Sequence, residues 1–430
     1  MALSHPDTTP ALVFANRQGE IMEYDGLEMA GSAGTLFRRP QPEELIELPE
    51  GSELFVLPGR LPVGFEPGSD EPALLAEDPY QAAAPIQAVA AFMAPAHTAI
   101  LTAAFTRKND RAPLLPLFAY TAVGWYRGRF WVSAFRSDPD PRQDPANFDQ
   151  DRIERGTRRR LKNHAGNRLI QHLGRCCLTY GCPAARNYFL DRWEAPLPSS
   201  PVCNASCIGC ISLQPSGCCP ATQDRIRFVP TPAEIADIAV PHLERARRPV
   251  VSFGQGCEGE PLLQGETLTR AVHLIREKTG RGTINLNTNG SLPGVVAQLA
   301  EAGLDSIRIS MNSARPGFHH RYYRPRGFDF SDVCRSMDVM KQHGRHVSLN
   351  YFILPGFTDD PDEFKALCDL VTRHRPDLIQ LRNLNMDPHH YLQVLGHDPA
   401  GPPMGMRTWL AELRRRFPHL GFGYFNPALQ

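Results

Sequence analysis

Cys203, Cys207 and Cys210 stand in the run Cys-Asn-Ala-Ser-Cys-Ile-Gly-Cys, which puts three thiols on one short loop. A glycine-glutamate-proline turn, Gly259-Glu260-Pro261, follows about one strand-helix unit later. Three thiolates at this spacing can hold three corners of a cubane iron-sulfur cluster, whereas a fully protein-ligated cluster uses four cysteines. The fourth iron is then open to another ligand. The competing chemistry is a zinc site completed by Cys218 or Cys219. Zinc knuckles seldom open a run of strand-helix units such as the one that follows here, which weighs against that alternative.

The cysteine run and the later turn resemble the radical S-adenosylmethionine (radical SAM) superfamily, over residues 199 to 417. The resemblance implies a [4Fe-4S] cluster on Cys203, Cys207 and Cys210, its open iron chelated by the amino and carboxylate groups of the cofactor's methionine. It further implies reductive cleavage of S-adenosylmethionine to methionine and a 5′-deoxyadenosyl radical, which removes a hydrogen atom from substrate. In this reading Gly259, Glu260 and Pro261 form the methionine-binding motif, with Glu260 or the backbone beside it receiving the ammonium group. Gly209 stands where the family commonly has an aromatic residue, which leaves adenine stacking at this point without its usual side chain.

Other polar residues fall at strand ends. Thr288 and Asn289 close one strand, and Ser310 and Asn312 close the next. Ribose hydroxyls and a carboxylate need donors and acceptors at such a rim, so these four are cofactor-binding candidates beside ordinary turn roles. Cys176, Cys177, Cys182, Cys218 and Cys219 flank the main motif. They are read either as ligands of an auxiliary iron-sulfur cluster or as an unligated or partly disulfide-linked set. Cys257, inside the glycine-rich loop, is expected to act as a small buried hydrophobe, with a ligating role as the alternative, and Cys334 and Cys368 to lie on helices in the core. Arg382, Asp387, His389 and His390 could line a substrate end, by carboxylate pairing or proton transfer, against a plain surface-loop reading. Arg321-Tyr322-Tyr323-Arg324-Pro325 poses the same choice. No catalytic residue can be named.

These residues need a frame. From Thr231 onward short β-branched runs alternate with amphipathic stretches, which predicts successive parallel strands with crossover helices. The expected strands are Val250 to Gly254, Thr283 to Thr288, Ser306 to Met311, Val347 to Leu354 and Leu378 to Asn385, with an earlier one running into Cys203. Thr231-Pro232-Ala233-Glu234 reads as a capping box with proline at the first helical position, and Gly280, Gly303 and Gly344 as helix stops. The expected fold class is α/β, a partial (β/α)6 barrel of the radical SAM type with a β-rich N-terminal accessory domain. Its ligands would bind at the carboxyl ends of the strands. The accessory domain is read from runs such as Leu12 to Phe14, Leu54 to Leu57, Gly124 to Tyr126 and Phe130 to Phe135, with Pro62 to Pro79 and Asp138 to Pro145 as loops. The expected boundaries are 1–145 for that domain, 146–198 for a basic, cysteine-containing linker, 199–417 for the barrel and 418–430 for a C-terminal tail.

Composition narrows the classes. With 430 residues, 42% of them hydrophobic, the chain can bury a sizeable core in two domains or more. Lys plus Arg equals Asp plus Glu at 46 each, so no global field draws it to nucleic acid or an anionic membrane. Eight of its 11 cysteines lie between Cys176 and Cys219, a clustering that favours metal or cluster ligation in a reducing, cytoplasmic setting over a disulfide framework. Met1 to Asn16 lacks the pattern of a secretory signal, and Ala88 to Phe105, interrupted by Pro95 and His97, is too short to span a bilayer. The one strong charge run, Arg152, Arg155, Arg158, Arg159, Arg160 and Lys162, is read first as a solvated or interdomain helix face and second as an RNA contact.

The expected function is therefore a radical SAM enzyme served by an electron donor such as a flavodoxin or ferredoxin. A peptide or protein substrate is preferred on the β-rich leading domain and the spare cysteines. An RNA-modifying enzyme, an enzyme that rearranges or methylates a small molecule, and a zinc-stabilised, non-catalytic binding protein are the alternatives.

Overall fold

The computed structural model describes residues 6, 8–214 and 220–429. Cys218 and Cys219 lie outside the described residues. The chain divides into two compact units, one formed by Met1–Pro139, Phe352–Cys368 and Leu381–Pro418, the other by Asp140–Tyr351, Asp369–Gln380 and His419–Gln430.

Seven strands form one sheet: β1 (Glu194–Pro196), β2 (Val250–Phe253), β3 (Thr283–Thr288), β4 (Ser306–Met311), β5 (His346–Ile353), β6 (Leu378–Asn383) and β7 (Gly421–Gly423). They lie in the sheet in their order along the chain. The pairs β1–β2, β2–β3, β3–β4, β4–β5 and β6–β7 are parallel. The helices are α1 (Gln150–Asn163), α2 (Arg168–Tyr180), α3 (Pro183–Phe189), α4 (Pro232–Arg245), α5 (Gly265–Lys278), α6 (Pro293–Ala302), α7 (Pro316–Tyr323), α8 (Phe330–Gln342), α9 (Pro361–His374), α10 (Pro388–Leu395) and α11 (Met406–Arg416). Successive crossovers α4, α5, α6 and α8 pack side by side, so the parallel sheet is wound in one direction and curls. Six strand-helix units followed by β7 make a partial (β/α)6 barrel.

Its outer layer is apolar for a periodic reason. Ile284 and Leu286 of β3, and Ile307 and Ile309 of β4, spaced two apart, are fully buried, as are Leu268, Val272 and Ile275 of α5, Val296 of α6, and Val333 and Met337 of α8. Burying each such aliphatic side chain contributes about 1.5–3 kcal/mol. The alternate residues face inward and are polar. Asn285 donates to Ser252 (3.1 Å) and Asn287 (2.8 Å), and accepts from Ser306 (2.7 Å). Asn426 donates to Glu194 (2.7 Å) and accepts from Gln380 (2.9 Å). The segment expected as a C-terminal tail thus supplies both β7 and a polar group inside the barrel. The Gly421-Phe422-Gly423 run carries no β-branched signal that would have marked it as a strand.

Local signals account for most helix ends. Thr231 Oγ1 accepts from the Glu234 amide (3.2 Å) while Glu234 accepts from the Thr231 amide (2.8 Å), with Pro232 in the first turn. Gly303 and Gly344 take positive φ after α6 and α8. Gly280 does not: the left-handed residue after α5 is Gly282. The earliest strand also differs from expectation, since β1 ends at Pro196 and stops short of Cys203. Pro198 and Pro201 lack ladder donors, and the Ser199 and Ser200 amides are spent on a side chain described below.

The first unit is a β-rich body. Strand Ala11–Ala15 pairs antiparallel with Ile21–Met29 and Val123–Tyr126, which in turn pairs with Arg129–Arg136. Along Gln87–Phe92, Val89 and Ala91 face one apolar cluster and Ala88 and Ala90 another, the period of two of a strand buried on both sides. The proline-dense stretch after Pro62, expected as loop, contains the end of strand Arg60–Phe65 and strand Pro72–Leu74. Proline forfeits an N–H but fits extended backbone, so it is tolerated there.

Arg60, fully buried, donates through Nη2 to Asp387 Oδ2 at 2.7 Å, and also bonds the Pro113 carbonyl (2.9 Å). Asp387 additionally accepts from the Leu115, His389 and His390 amides. Removing one member of such a pair strands the other charge in the core. Asp387→Ala is expected to lower the stability of this unit by about 3–5 kcal/mol in urea unfolding. A double Arg60→Met, Asp387→Leu variant should recover much of it.

Candidate functional site

The cysteine loop is held from both ends by residues far away in sequence. Its entry is fixed by Glu258, a fully enclosed carboxylate after β2. Glu258 Oε2 accepts from the Ser199 amide (2.7 Å), the Ser200 amide (2.9 Å) and Ser199 Oγ (3.0 Å), and Oε1 accepts from the Gln255 amide (2.7 Å). Backbone bonds run alongside, from Gly259 N to Ser200 O (2.7 Å) and from Glu260 N to Val202 O (2.8 Å).

The middle of the loop is held by the end of α7. The Ser206 amide donates to Tyr323 O (2.9 Å), the Ile208 amide to Tyr322 O (3.1 Å) and the Arg326 amide to Asn204 O (2.8 Å). The Arg326 guanidinium reaches Cys203 O at 2.9 Å. This is what the Arg321–Pro325 segment does: the left-handed turn at Arg324 ends α7 and leaves its last carbonyls to the cysteine loop. Arg225 completes the cradle, donating to Ser212 Oγ (3.1 Å) and lying 3.5 Å from Cys210 Sγ.

Glu260 ties the glycine-rich loop to the end of β3. One carboxylate oxygen accepts from Thr288 Oγ1 and from the Leu262 amide (3.0 Å), the other from the Asn289 amide (2.8 Å). Asn289 Nδ2 in turn donates to Asn204 Oδ1 (2.9 Å), and Asn204 to Ser291 Oγ (3.0 Å), so β3 and the cysteine loop are linked directly. Of the other expected rim residues, Asn312 is buried and donates to Phe318 O (3.3 Å), while Ser310 is half-buried near the end of β4.

Two glycines are required by close approach. A Cβ on Gly259 would lie 1.9 Å from Val202 O, and one on Gly254, which has φ of +75°, would lie 1.6 Å from Asn287 O. No side chain can be accommodated at either point without moving a strand or the cysteine loop.

Burial sets the protonation of the groups. It pushes Cys203 up to about 11, with the Glu260 carboxylate adding to the effect, and holds Cys207 well above the usual thiol range. Buried thiols of this kind ionise only when a cation compensates. Burial also raises Glu258 and Glu260 to about 7, against the pull of the amides that donate to them. Cys176 runs the other way, drawn down to about 5 chiefly by hydrogen bonding with Cys257, with His172 adding to the effect.

The remaining sequence candidates go elsewhere. Cys177 contacts Thr157 Oγ1 at 3.5 Å, and Cys182 precedes the first turn of α3. Asp387 is spent within the first unit on Arg60, and His389 stacks on Phe105. Two residues were missed from sequence. Glu258 had as its only sign a carboxylate in a glycine-rich loop. His172, which sits beside Cys257, had its i,i+4 spacing to Cys176 on α2. The nine described cysteines are all free thiols.

A sequence profile described as Radical SAM superfamily matches residues 197–371. Among characterised sequences, the dual-specificity RNA methyltransferase RlmN of Lawsonia intracellularis (strain PHE/MN1-00) is 28% identical over 187 residues, 40% of this chain and 50% of its own length. The probable RlmN of Aquifex aeolicus (strain VF5) is 25% identical over 205 residues, 44% and 56% of the two chains. The chain thus spans about half the length of the curated relatives it matches. Among solved structures, native anSMEcpe with bound AdoMet is 20% identical with a TM-score of 0.35, covering 45% of this chain and 52% of that one. Methylornithine synthase (PylB) is 14% identical with a TM-score of 0.38, covering 56% and 68%.

Gly259→Ala forces apart the backbone pairing that holds the cysteine loop, at an overpacking cost of about 1–3 kcal/mol. Amide hydrogen exchange over residues 199–202 and 255–260 is expected to rise roughly ten- to a hundredfold. Gly280→Ala, whose Cβ meets nothing within 4 Å, should leave it unchanged.

Proposed function

We propose that this chain, whose residues 197–371 match the Radical SAM superfamily, is a radical SAM enzyme holding a [4Fe-4S] cluster on Cys203, Cys207 and Cys210 beside bound S-adenosylmethionine. The observation that carries this reading is the cysteine loop itself. It is suspended at the carboxyl ends of parallel strands by Glu258 on one side and the Tyr322 and Tyr323 carbonyls on the other.

The residues fit such a group. Among the described residues, the group of three potential ligand atoms all within 4.8 Å of one another is His172, Cys176 and Cys257, not the three motif cysteines. A single tetrahedral zinc wants its sulfurs about 3.8 Å apart, as its bond lengths dictate. The wider spread of Cys203, Cys207 and Cys210 suits thiolates bound to different irons. When bound, the cluster supplies the electron that cleaves S-adenosylmethionine to methionine and a 5′-deoxyadenosyl radical.

The protein's own part is orientation. Glu260 has both carboxylate oxygens committed to Thr288, Asn289 and Leu262. It therefore shapes the turn, and the methionine ammonium is left to backbone oxygens of the Gly259-Glu260-Pro261 segment. Thr288, Asn289, Ser310 and Asn312 supply polar groups at the strand ends for the ribose and carboxylate. Reducing equivalents come from an external donor of the flavodoxin or ferredoxin class. No helix among the described residues is long and apolar enough to cross a membrane.

For substrate we propose RNA rather than the peptide favoured by composition. The characterised relatives are named as RNA methyltransferases, and α1 presents Arg152, Arg155, Arg158, Arg159 and Lys162 on its exposed side. Arg160 belongs to a different group: it makes two bonds to Asp191 (2.8 and 2.9 Å) and one to Tyr188 O (2.6 Å), holding α1 to α3.

Anaerobically reconstituted protein is expected to produce 5′-deoxyadenosine from S-adenosylmethionine under dithionite, by liquid chromatography with mass detection. A variant with Cys203, Cys207 and Cys210 all replaced by alanine should produce none, and equal yields would refute the cluster assignment. Replacing Arg155, Arg158, Arg159 and Lys162 with alanine should weaken RNA retention and flatten its salt dependence by roughly one log unit per lost phosphate contact. Unchanged retention would remove α1 from the RNA reading.

A further inference from the structure

A second ligand set lies outside the cysteine motif. His172 and Cys176 are one turn apart on α2 and so share a face of that helix. Cys257 reaches them from the loop after β2. His172 Nε2 lies 3.4 Å from Cys257 Sγ and 3.5 Å from Cys176 Sγ, and the three atoms all fall within 4.8 Å of one another. Both cysteines are buried, at 2% and 4% exposure, and the histidine is half-buried.

We propose that His172, Cys176 and Cys257 bind one divalent, borderline-soft cation, zinc in the first instance, as a clamp between α2 and the glycine-rich loop. The distances carry the argument. Zinc bonds of about 2.3 Å to sulfur and about 2.0–2.1 Å to nitrogen, at the tetrahedral angle, set a nitrogen-to-sulfur edge of about 3.6 Å. Both observed edges match that value. Hydrogen bonding satisfies the group less well, because one imidazole nitrogen holds a single proton or a single lone pair and faces two sulfurs. A cubane cluster attaches each protein ligand to a different iron and would hold them further apart. Cys176 and Cys257 are free thiols, not joined as a disulfide.

Three protein ligands leave the fourth position to water. The site's consequence is positional. Cys257 immediately precedes Glu258, whose carboxylate holds the entry to the cysteine loop, and its own carbonyl accepts from the Ile226 amide at 2.7 Å. A cation here therefore fixes the backbone from which the cluster-bearing loop hangs, without entering the cluster.

The test uses the full chain carrying Cys203, Cys207 and Cys210 replaced by alanine, so its outcome does not depend on a cluster or on the proposed activity. The protein is grown with zinc, purified under reductant and assayed for metals by inductively coupled plasma mass spectrometry. About one zinc per chain is expected, and cobalt substitution should give the intense absorption and thiolate charge-transfer bands of a tetrahedral site. Adding His172→Ala or Cys257→Ser should lower bound zinc more than about tenfold. Because either change could loosen the fold, the metal-loaded parent is also stripped with a chelator and reloaded, and reversible uptake with the cobalt signature stands independently of the variants. Trace metal in the reduced parent overturns the proposal. So does zinc that survives both substitutions, or a mapped Cys176–Cys257 disulfide in protein that takes up no zinc after reduction.

Discussion

A buried carboxylate holds this site together. Glu258 sits in the interior after β2 with its charge removed from water, a placement that costs several kcal/mol unless every lone pair finds a donor. It finds four, three of them on Ser199 and Ser200 at the mouth of the cysteine loop. The loop cannot leave without exposing an unsatisfied carboxylate, and the carboxylate cannot relax without releasing the loop. Glu260 repeats the device at the end of β3, and through Asn289 and Asn204 the two anchors share one hydrogen-bond network. Networks of this kind in a low dielectric are rigid when complete and costly when broken.

That rigidity is affordable because the barrel beneath it is divided by face. Outward residues of β3 and β4 build an apolar layer with the helices, while inward ones build a polar interior of Asn285, Asn287, Ser252, Glu194, Gln380 and Asn426. Every donor set inside must be matched, and the C-terminal segment closes the account by delivering Asn426. The first unit meets the same demand differently, with Arg60 and Asp387 neutralising one another in its core.

The cysteine-rich surroundings of the motif turn out to be heterogeneous. Cys177 and Cys182 lie in packing or turn positions, whereas Cys176 is drawn into a group with His172 and Cys257. Proximity in sequence to the motif did not distinguish these roles, because helix α2 turns successive cysteines onto different faces. The basic run on α1 divides likewise: Arg160 is consumed by Asp191 and Tyr188, and its neighbours stay at the surface.

The sequence by itself determined what depends on neighbours a few residues away. Strand and helix alternation after Thr231, the Thr231–Glu234 capping box, the stops at Gly303 and Gly344 and the three-cysteine loop are all written in short spacings, and each is local chemistry. The tertiary structure alone decided what depends on residues brought together across the chain. Glu258 meets Ser199, Tyr323 meets Ser206 and His172 meets Cys257 over separations that no periodicity reports. The short β7 and the strand at Pro62 escaped for the related reason that glycine and proline carry little strand signal, so pairing partners rather than propensity placed them. Which carboxylate shapes the turn, which cysteines gather and which arginines remain outside were settled by burial and by the supply of donors.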